Sequence, residues 1–257
     1  PDLVSALVGL GHAHARRHEP VRAIPHYRRA LGLDPTDVEL PFALGNALYE
    51  ANRLSEAAAV YELVTRLDSQ HARGWFNLGH TFKALDRLPE AEQAFAAAIV
   101  ADPKFYKARF MRAHALSGLD RHAEAVQEYH ETLRLNPRYA KAHFNLASCH
   151  LRDGDYDAAI RRFQSVLKLD RHYERAHFGL GQAYLQQQRR KEARASFTEA
   201  LRLRSDLYPC RLQLARLLDE DRAPEASIHY RAYLRDAPES PEHEDVRRRL
   251  RSLESSA

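Results

Sequence analysis

Apolar residues recur along this chain three and four positions apart, in stretches broken by short polar segments. Phe144, Leu146 and Leu151 form one stretch, and Ile160, Phe163 and Leu167 form the next. That spacing lays the side chains on one face of a helix, so each stretch predicts an amphipathic helix. The breakers read "ANRLSEA" from Ala51, "LDRLPEA" from Leu85 and "RDGDYDA" from Arg152. Ser55 predicts an N-cap, and Pro89 suits a first helical turn, where its missing N–H costs nothing. Heavier punctuation, "LDPTD", "ADPKF" and "LNPRY", puts Pro35, Pro103 and Pro137 where a helix cannot continue. The pattern predicts an all-α chain of antiparallel helix pairs.

The pairs repeat. Sliding the sequence against itself by 34 residues keeps one register from Val4 to about Ser240, giving seven repeats. With Val4 as position 1, position 8 reads Gly11, Gly45, Gly79, Ala113, Ala147, Gly181 and Ala215. Position 20 reads Ala23, Ala57, Ala91, Ala125, Ala159, Ala193 and, after a one-residue deletion, Ala226. Position 24 reads Tyr27, Tyr61, Phe95, Tyr129, Phe163, Phe197 and Tyr230. Small residues at positions 8 and 20 let two helix backbones approach, and the aromatic beyond fills the adjoining gap.

These columns, with a Pro near position 32 and Trp75 at position 4 of the third repeat, resemble the tetratricopeptide repeat family over nearly the whole chain. Arg112 departs from the family's usual Leu at position 7, and Ser69, Arg171 and Ser205 replace the terminal Pro, which is expected to weaken single turns. The resemblance implies a right-handed superhelical solenoid of seven antiparallel helix pairs. It also implies a concave groove lined by the first helix of each pair, and peptide or protein binding rather than catalysis. Residues 1–257 read as a single repeat domain, with repeats over 4–240 and a capping helix over 241–257. In that last segment Val246, Leu250 and Leu253 share one face, and the run "RRRLR" from Arg247 reads as its solvated side.

Composition narrows the function. There are 39 basic and 35 acidic residues, a net charge of +4, so no polycationic stripe argues for nucleic acid. The longest apolar run, "AFAAAIVA" from Ala94, is far too short to span a bilayer. The chain opens at Pro1 without a Met. A cytoplasmic location is favoured, and a periplasmic or secreted one follows if a leader was removed.

The candidate site is a second stripe of the first helices, at positions 2, 5, 9 and 12. Position 5 carries Phe42, Phe76, Phe110, Phe144 and Phe178, among polar neighbours at position 9 that include His80 and His114. Position 2 carries Arg73, Lys107, Lys141 and Arg175, and position 6 carries Asn77 and Asn145. A stripe of cations, Phe rings and amides predicts a groove for an extended or helical peptide with apolar side chains and acidic groups. The rings are expected to be what the stack offers a partner; the alternative is that they pack between repeats and the cations only solvate the surface.

Two variants of the family can be compared residue by residue. Co-chaperones that grip a C-terminal carboxylate share Asn46, Asn77 and Lys107, but Phe42 and Met111 stand where that clamp has cations. The repeat domain of the O-linked sugar transferase resembles this chain at Asn77 and Asn145 alone.

Other chemistry is sparse. His14 and His18 have the spacing of one helical face, but no Cys or carboxylate completes a metal set. His143 and His177 fall at the family's Trp position and read as packing groups. Cys149 and Cys210 lie in first helices two repeats apart, beyond disulfide reach, and read as buried free thiols. No phosphate loop or catalytic triad pattern is present, so no enzyme activity, cofactor or metal is implied. The expected function is a protein-interaction scaffold or adaptor. The alternatives are the substrate-recruiting arm of a larger enzyme, glycosyltransferase-like, and an assembly factor acting by self-association or by guiding a partner's oligomerisation.

Overall fold

The computed structural model describes residues 2–255 and is all-helical there, with fifteen helices. They pack as two units, one up to Pro137 and one from Arg138 onward. The first unit holds α1 (Leu3–Arg16), α2 (Pro20–Leu33), α3 (Glu39–Glu50), α4 (Leu54–Leu67), α5 (Ala72–Ala84), α6 (Leu88–Ala101), α7 (Tyr106–Gly118) and α8 (His122–Leu135). The second holds α9 (Ala140–Arg152), α10 (Tyr156–Leu169), α11 (Glu174–Gln186), α12 (Arg190–Leu203), α13 (Tyr208–Glu220), α14 (Ala226–Asp236) and α15 (Glu242–Glu254). Consecutive odd and even helices pack as pairs, and within each unit each pair packs on the next. Of the segment expected to cap the chain, Ser256 and Ala257 lie outside the described residues.

The three repeat columns are the core. All seven position-24 aromatics are buried, from 0% exposed at Phe95 and Phe197 to 3% at Tyr230. A Cβ added at Gly11, Gly45, Gly79 or Gly181 would lie 2.4–2.6 Å or 2.7 Å from the aromatic ring of its own repeat. That contact explains the small residue at position 8: the ring occupies the space a side chain would need. Fully burying such a ring contributes about 2–3 kcal/mol.

Turns follow the same repeat. Position 15 lies in left-handed backbone in every repeat: His18, Asn52, Asp86, Asp120, Gly154, Gln188 and Arg222 have φ between +54° and +81°. Only one of these is glycine. Ser55 is not a cap; α4 begins at Leu54 and its N-cap is Arg53. Its side chain instead holds Glu56 three residues on. Pro89 does fall in the first turn of α6. His18 lies beyond the end of α1, so it shares no helical face with His14, which pairs with Glu19 at 2.7 Å.

Between pairs, Asp34, Asp68, Asp102 and Asp170 each accept a backbone N–H two residues on, at 2.8–3.1 Å. Ser69, Arg171 and Ser205, the three positions lacking Pro, are each tied differently. Their carbonyls accept hydrogen bonds from position 4 of the following repeat: Trp75 Nε1 to Ser69 at 3.0 Å, His177 Nε2 with Arg171 at 3.1 Å, and the Arg211 guanidinium to Ser205. The missing Pro is therefore offset by a side-chain tie, rather than leaving a weak turn.

Arg112 also has a structural partner set. Its guanidinium holds Glu92 of α6 at 2.7 Å and Glu128 of α8 at 2.8 Å, and Arg109 holds Glu128 at 3.2 Å. An ion-pair network thus replaces the aliphatic packing that Leu44 and Leu78 supply at position 7 elsewhere.

At the end of the second unit, α15 packs Val246, Leu250 and Leu253 against the core. Arg247, Arg248 and Arg249 each pair with a carboxylate, of Glu239, Asp245 and Asp219 respectively. Asp219 is 8% exposed and also accepts from the Tyr230 hydroxyl at 3.1 Å.

Candidate functional site: the face of the first helices

The position-2 cations follow from the repeat, each being the second residue of a first helix. Arg73, Lys107, Lys141 and Arg175 are all exposed. Elsewhere Arg residues are mostly satisfied within the chain. Position 16 carries Arg53, Arg87, Arg121 and Arg189, each bonded to a Glu three residues on at 2.6–2.9 Å. The four position-2 cations have no carboxylate within 4.0 Å among the described residues.

The Phe column is not the exposed offering expected from the sequence. Phe42 and Phe110 are buried, at 6% and 8% exposure, and Phe76, Phe144 and Phe178 are half-buried. Each ring packs on the position-24 aromatic of its own repeat, at centroid distances from 5.7 Å for Phe144–Phe163 to 6.2 Å for Phe42–Tyr61. A further aromatic column, at position 34, closes over them from the next loop. His71 lies 4.8 Å from Phe42, Phe105 4.7 Å from Phe76, and Tyr173 5.3 Å from Phe144. Sequence reading missed this column; its signal was an aromatic or His just before each of four successive first helices. Two of the cations lie over the rings: Arg73 is 5.2 Å from the Phe42 centroid, and Arg175 4.8 Å from that of Phe144. The rings fix the cations more than they meet solvent.

In the first unit the face is hollowed into three adjoining cavities. One of about 500 Å³ lies between α1 and α3 and includes Asp37, Glu39, Phe42, Asn46 and Glu50. The next, about 330 Å³, shares Asn46 and Glu50 and adds Tyr49, Tyr61, Phe76, Asn77 and His80. The third, about 450 Å³, shares Phe76 and Asn77 and adds Arg73, Asp102, Phe105 and Lys107. So the expected site residues Arg73, Phe76, Asn77, His80 and Lys107 do come together. Phe110 is in the core instead, and His114 is exposed on α7 outside these cavities. Lys141, Phe144, Asn145, Arg175 and Phe178 belong to α9 and α11 of the second unit, where Phe144 is held by Phe163, Tyr173 and Arg175.

The middle cavity has a fixed polar floor. Asn46 Oδ1 accepts from the Tyr61 hydroxyl at 2.7 Å and from Asn77 Nδ2 at 2.9 Å. That leaves the Asn46 amide N–H groups and the Asn77 Oδ1 unused among the described residues. Burial pushes the Tyr61 hydroxyl well above its usual range, so it stays a donor. Burial, with Lys83 nearby, brings His80 down to about 4, so its ring is neutral at pH 7. The floor therefore offers uncharged donors and acceptors suited to amide groups.

In the second unit Cys149 and Cys210 are both free and buried, as the sequence predicts. Among the described residues no group of three or more His, Cys, Asp or Glu is placed to hold a metal ion, and no helix is long and apolar enough to cross a membrane.

Three family models, each described as a tetratricopeptide repeat, match residues 15–78 and 150–208, residues 110–160, and residues 72–105. The chain belongs to the tetratricopeptide repeat family. No curated protein matches it in sequence. Among solved structures it is similar to YrrB, a tetratricopeptide protein with an unusual peptide-binding site, at 22% identity and a TM-score of 0.64, over 76% of this chain and 97% of that one. MamA from Desulfovibrio magneticus is 20% identical, with a TM-score of 0.63, over 67% of this chain and 98% of that one. A tetratricopeptide repeat protein from Parabacteroides merdae is 14% identical, with a TM-score of 0.69, over 95% and 97% of the two chains. Likeness at these identities establishes the fold alone.

Proposed function

We propose that this chain is a protein-interaction scaffold whose first-helix face takes an extended segment of a partner protein. The observation that carries the reading is the column of Arg73, Lys107, Lys141 and Arg175, exposed and without carboxylate partners in a chain that pairs most of its other arginines. Exposed cations with no carboxylate partner in either unit draw on charge outside the molecule. The amide floor around Asn46 and Asn77 supports the same reading, because an extended peptide presents backbone N–H and C=O groups at each residue. Similarity to a protein with a peptide-binding site is in keeping with it. Each charge-assisted contact contributes about 1.5–3 kcal/mol before the cost of ordering the peptide, so affinities on the order of micromolar are expected.

The test is affinity capture from a source-cell lysate with the wild-type chain and with Lys107→Glu/Lys141→Glu. A partner lost by the variant, with helicity and melting unchanged, supports the reading. Equal capture by both refutes a role for the basic column.

A further inference from the structure

The three cavities of the first unit differ in charge, and we infer that their partner is a dipolar segment, cationic at one end and acidic at the other. The inference rests on the first-helix face being the binding site. At the α1–α3 end the lining carries Asp37, Glu39 and Glu50, with no Lys or Arg among the lining residues. Glu50 is exposed and has no cation within 4.0 Å among the described residues, and Glu39, 75% exposed at its side chain, has only His71 at 3.6 Å. At the α5–α7 end the lining carries Arg73 and Lys107 against one carboxylate, Asp102, one of whose oxygens accepts the Lys104 backbone N–H at 2.9 Å.

Between the ends the lining is uncharged apart from Glu50. Asn46, Asn77 and Tyr61 are hydrogen-bonded to one another, and His80 lies edge-on to Phe76 with ring centroids 4.6 Å apart. The cavities share lining residues pairwise, so the charged ends are joined by a continuous path of amide and aromatic groups. A partner of uniform negative charge satisfies one end and is repelled at the other. A Lys or Arg over Glu39 and Glu50, and an Asp or Glu over Arg73 and Lys107, satisfies both. First helices of successive repeats lie on the order of 10 Å apart, so the two ends are separated by roughly six residues of extended chain.

The test uses fluorescence anisotropy at low salt, where exposed charges act over longer distances. The probes are labelled peptides of equal length: Lys-Lys and Glu-Glu ends joined by Ser-Ala repeats, in both orders, and an all-acidic control with Glu-Glu at both ends. The wild-type chain is expected to bind at least one dipolar peptide about fivefold more tightly than the control. Glu39→Lys/Glu50→Lys, at two exposed positions and with its melt compared to wild type as a control, is expected to reverse that preference. Lys107→Glu is expected to weaken all the peptides. If the wild type binds the all-acidic control as tightly as the dipolar peptides, and Lys107→Glu still weakens it, the dipolar partner is refuted while the binding face stands. If no peptide binds, or Lys107→Glu changes nothing, both fail.

Discussion

Replacing Arg112 by the Leu that its family usually carries should destabilise this protein. Arg112 is 26% exposed at its side chain, against 11% for Glu92 and 13% for Glu128. Without Arg112, Glu128 keeps Arg109 at 3.2 Å, but the closest cation left to Glu92 is Arg121 at 3.7 Å. Stranding a fully buried charge costs about 3–5 kcal/mol, and the water that reaches Arg112 reduces this to about 2–3. Burying a Leu side chain returns about 1 kcal/mol, so the net loss for Arg112→Leu is about 1.5 kcal/mol.

Removing the stranded acid as well should restore most of the loss. Glu92→Ala adopts the residue that stands at the same position in the second repeat, Ala58, which is buried. Arg112→Leu/Glu92→Ala should fall within about 0.5 kcal/mol of wild type, about 1 kcal/mol or more above the single Arg112→Leu variant. Urea unfolding followed by circular dichroism, with midpoint and slope compared across the four proteins, measures it. The reasoning is refuted if Arg112→Leu is as stable as wild type, or if the double variant is no more stable than the single.

Three further outcomes follow from the packing. Gly181→Ala places its Cβ 2.4 Å from the Phe197 ring and should lower stability by about 1–2 kcal/mol, whereas Gly9→Ala, with nothing within 4 Å, should raise it by about 0.5–1; thermal melts of the two decide. Cys210, whose thiol burial pushes up to about 12, should resist thiol reagents in the native protein at pH 8 and react only on unfolding; native labelling at the unfolded rate would sink this. His80, held near 4 by burial, should show no titration by NMR between pH 8 and 5. Its folded value is depressed, so its contribution to stability is full above the unfolded value of about 6.5 and declines as pH falls from there to about 4.

The fold was legible because its determinants recur in register. Ala and Gly beside an aromatic at fixed offsets specify a helix pair whichever repeat is read, and that signal survives a substitution such as Arg112. What the sequence hid were relations between repeats. The position-5 rings looked exposed because their own neighbours along α5 or α9 are polar; their true covers, Phe105 and Tyr173, come from loops some thirty residues on. Exposure of the cations was legible because at position 2 it depends only on the local helix. The acidic end at Glu39 and Glu50 escaped notice because Glu39 breaks the position-2 column of cations and Glu50 recurs in neither adjoining repeat; eleven residues apart on α3, they line one cavity. Likewise the ties from Trp75, His177 and Arg211 join positions that belong to different repeats.

The left-handed residue in each turn has a consequence for engineering. Six of the seven turns hold a residue with a Cβ in a conformation that costs it about 1 kcal/mol, and the seventh, at Gly154, is already relaxed. The strain is confined to an exposed loop tip in each repeat, away from the aromatic core. In a stack where each repeat depends chiefly on its neighbours, glycine at any of the six sites acts as a local dial on rigidity. One repeat could then be stiffened against opening while the next stays loose, so that the order in which the array unravels becomes a matter of choice.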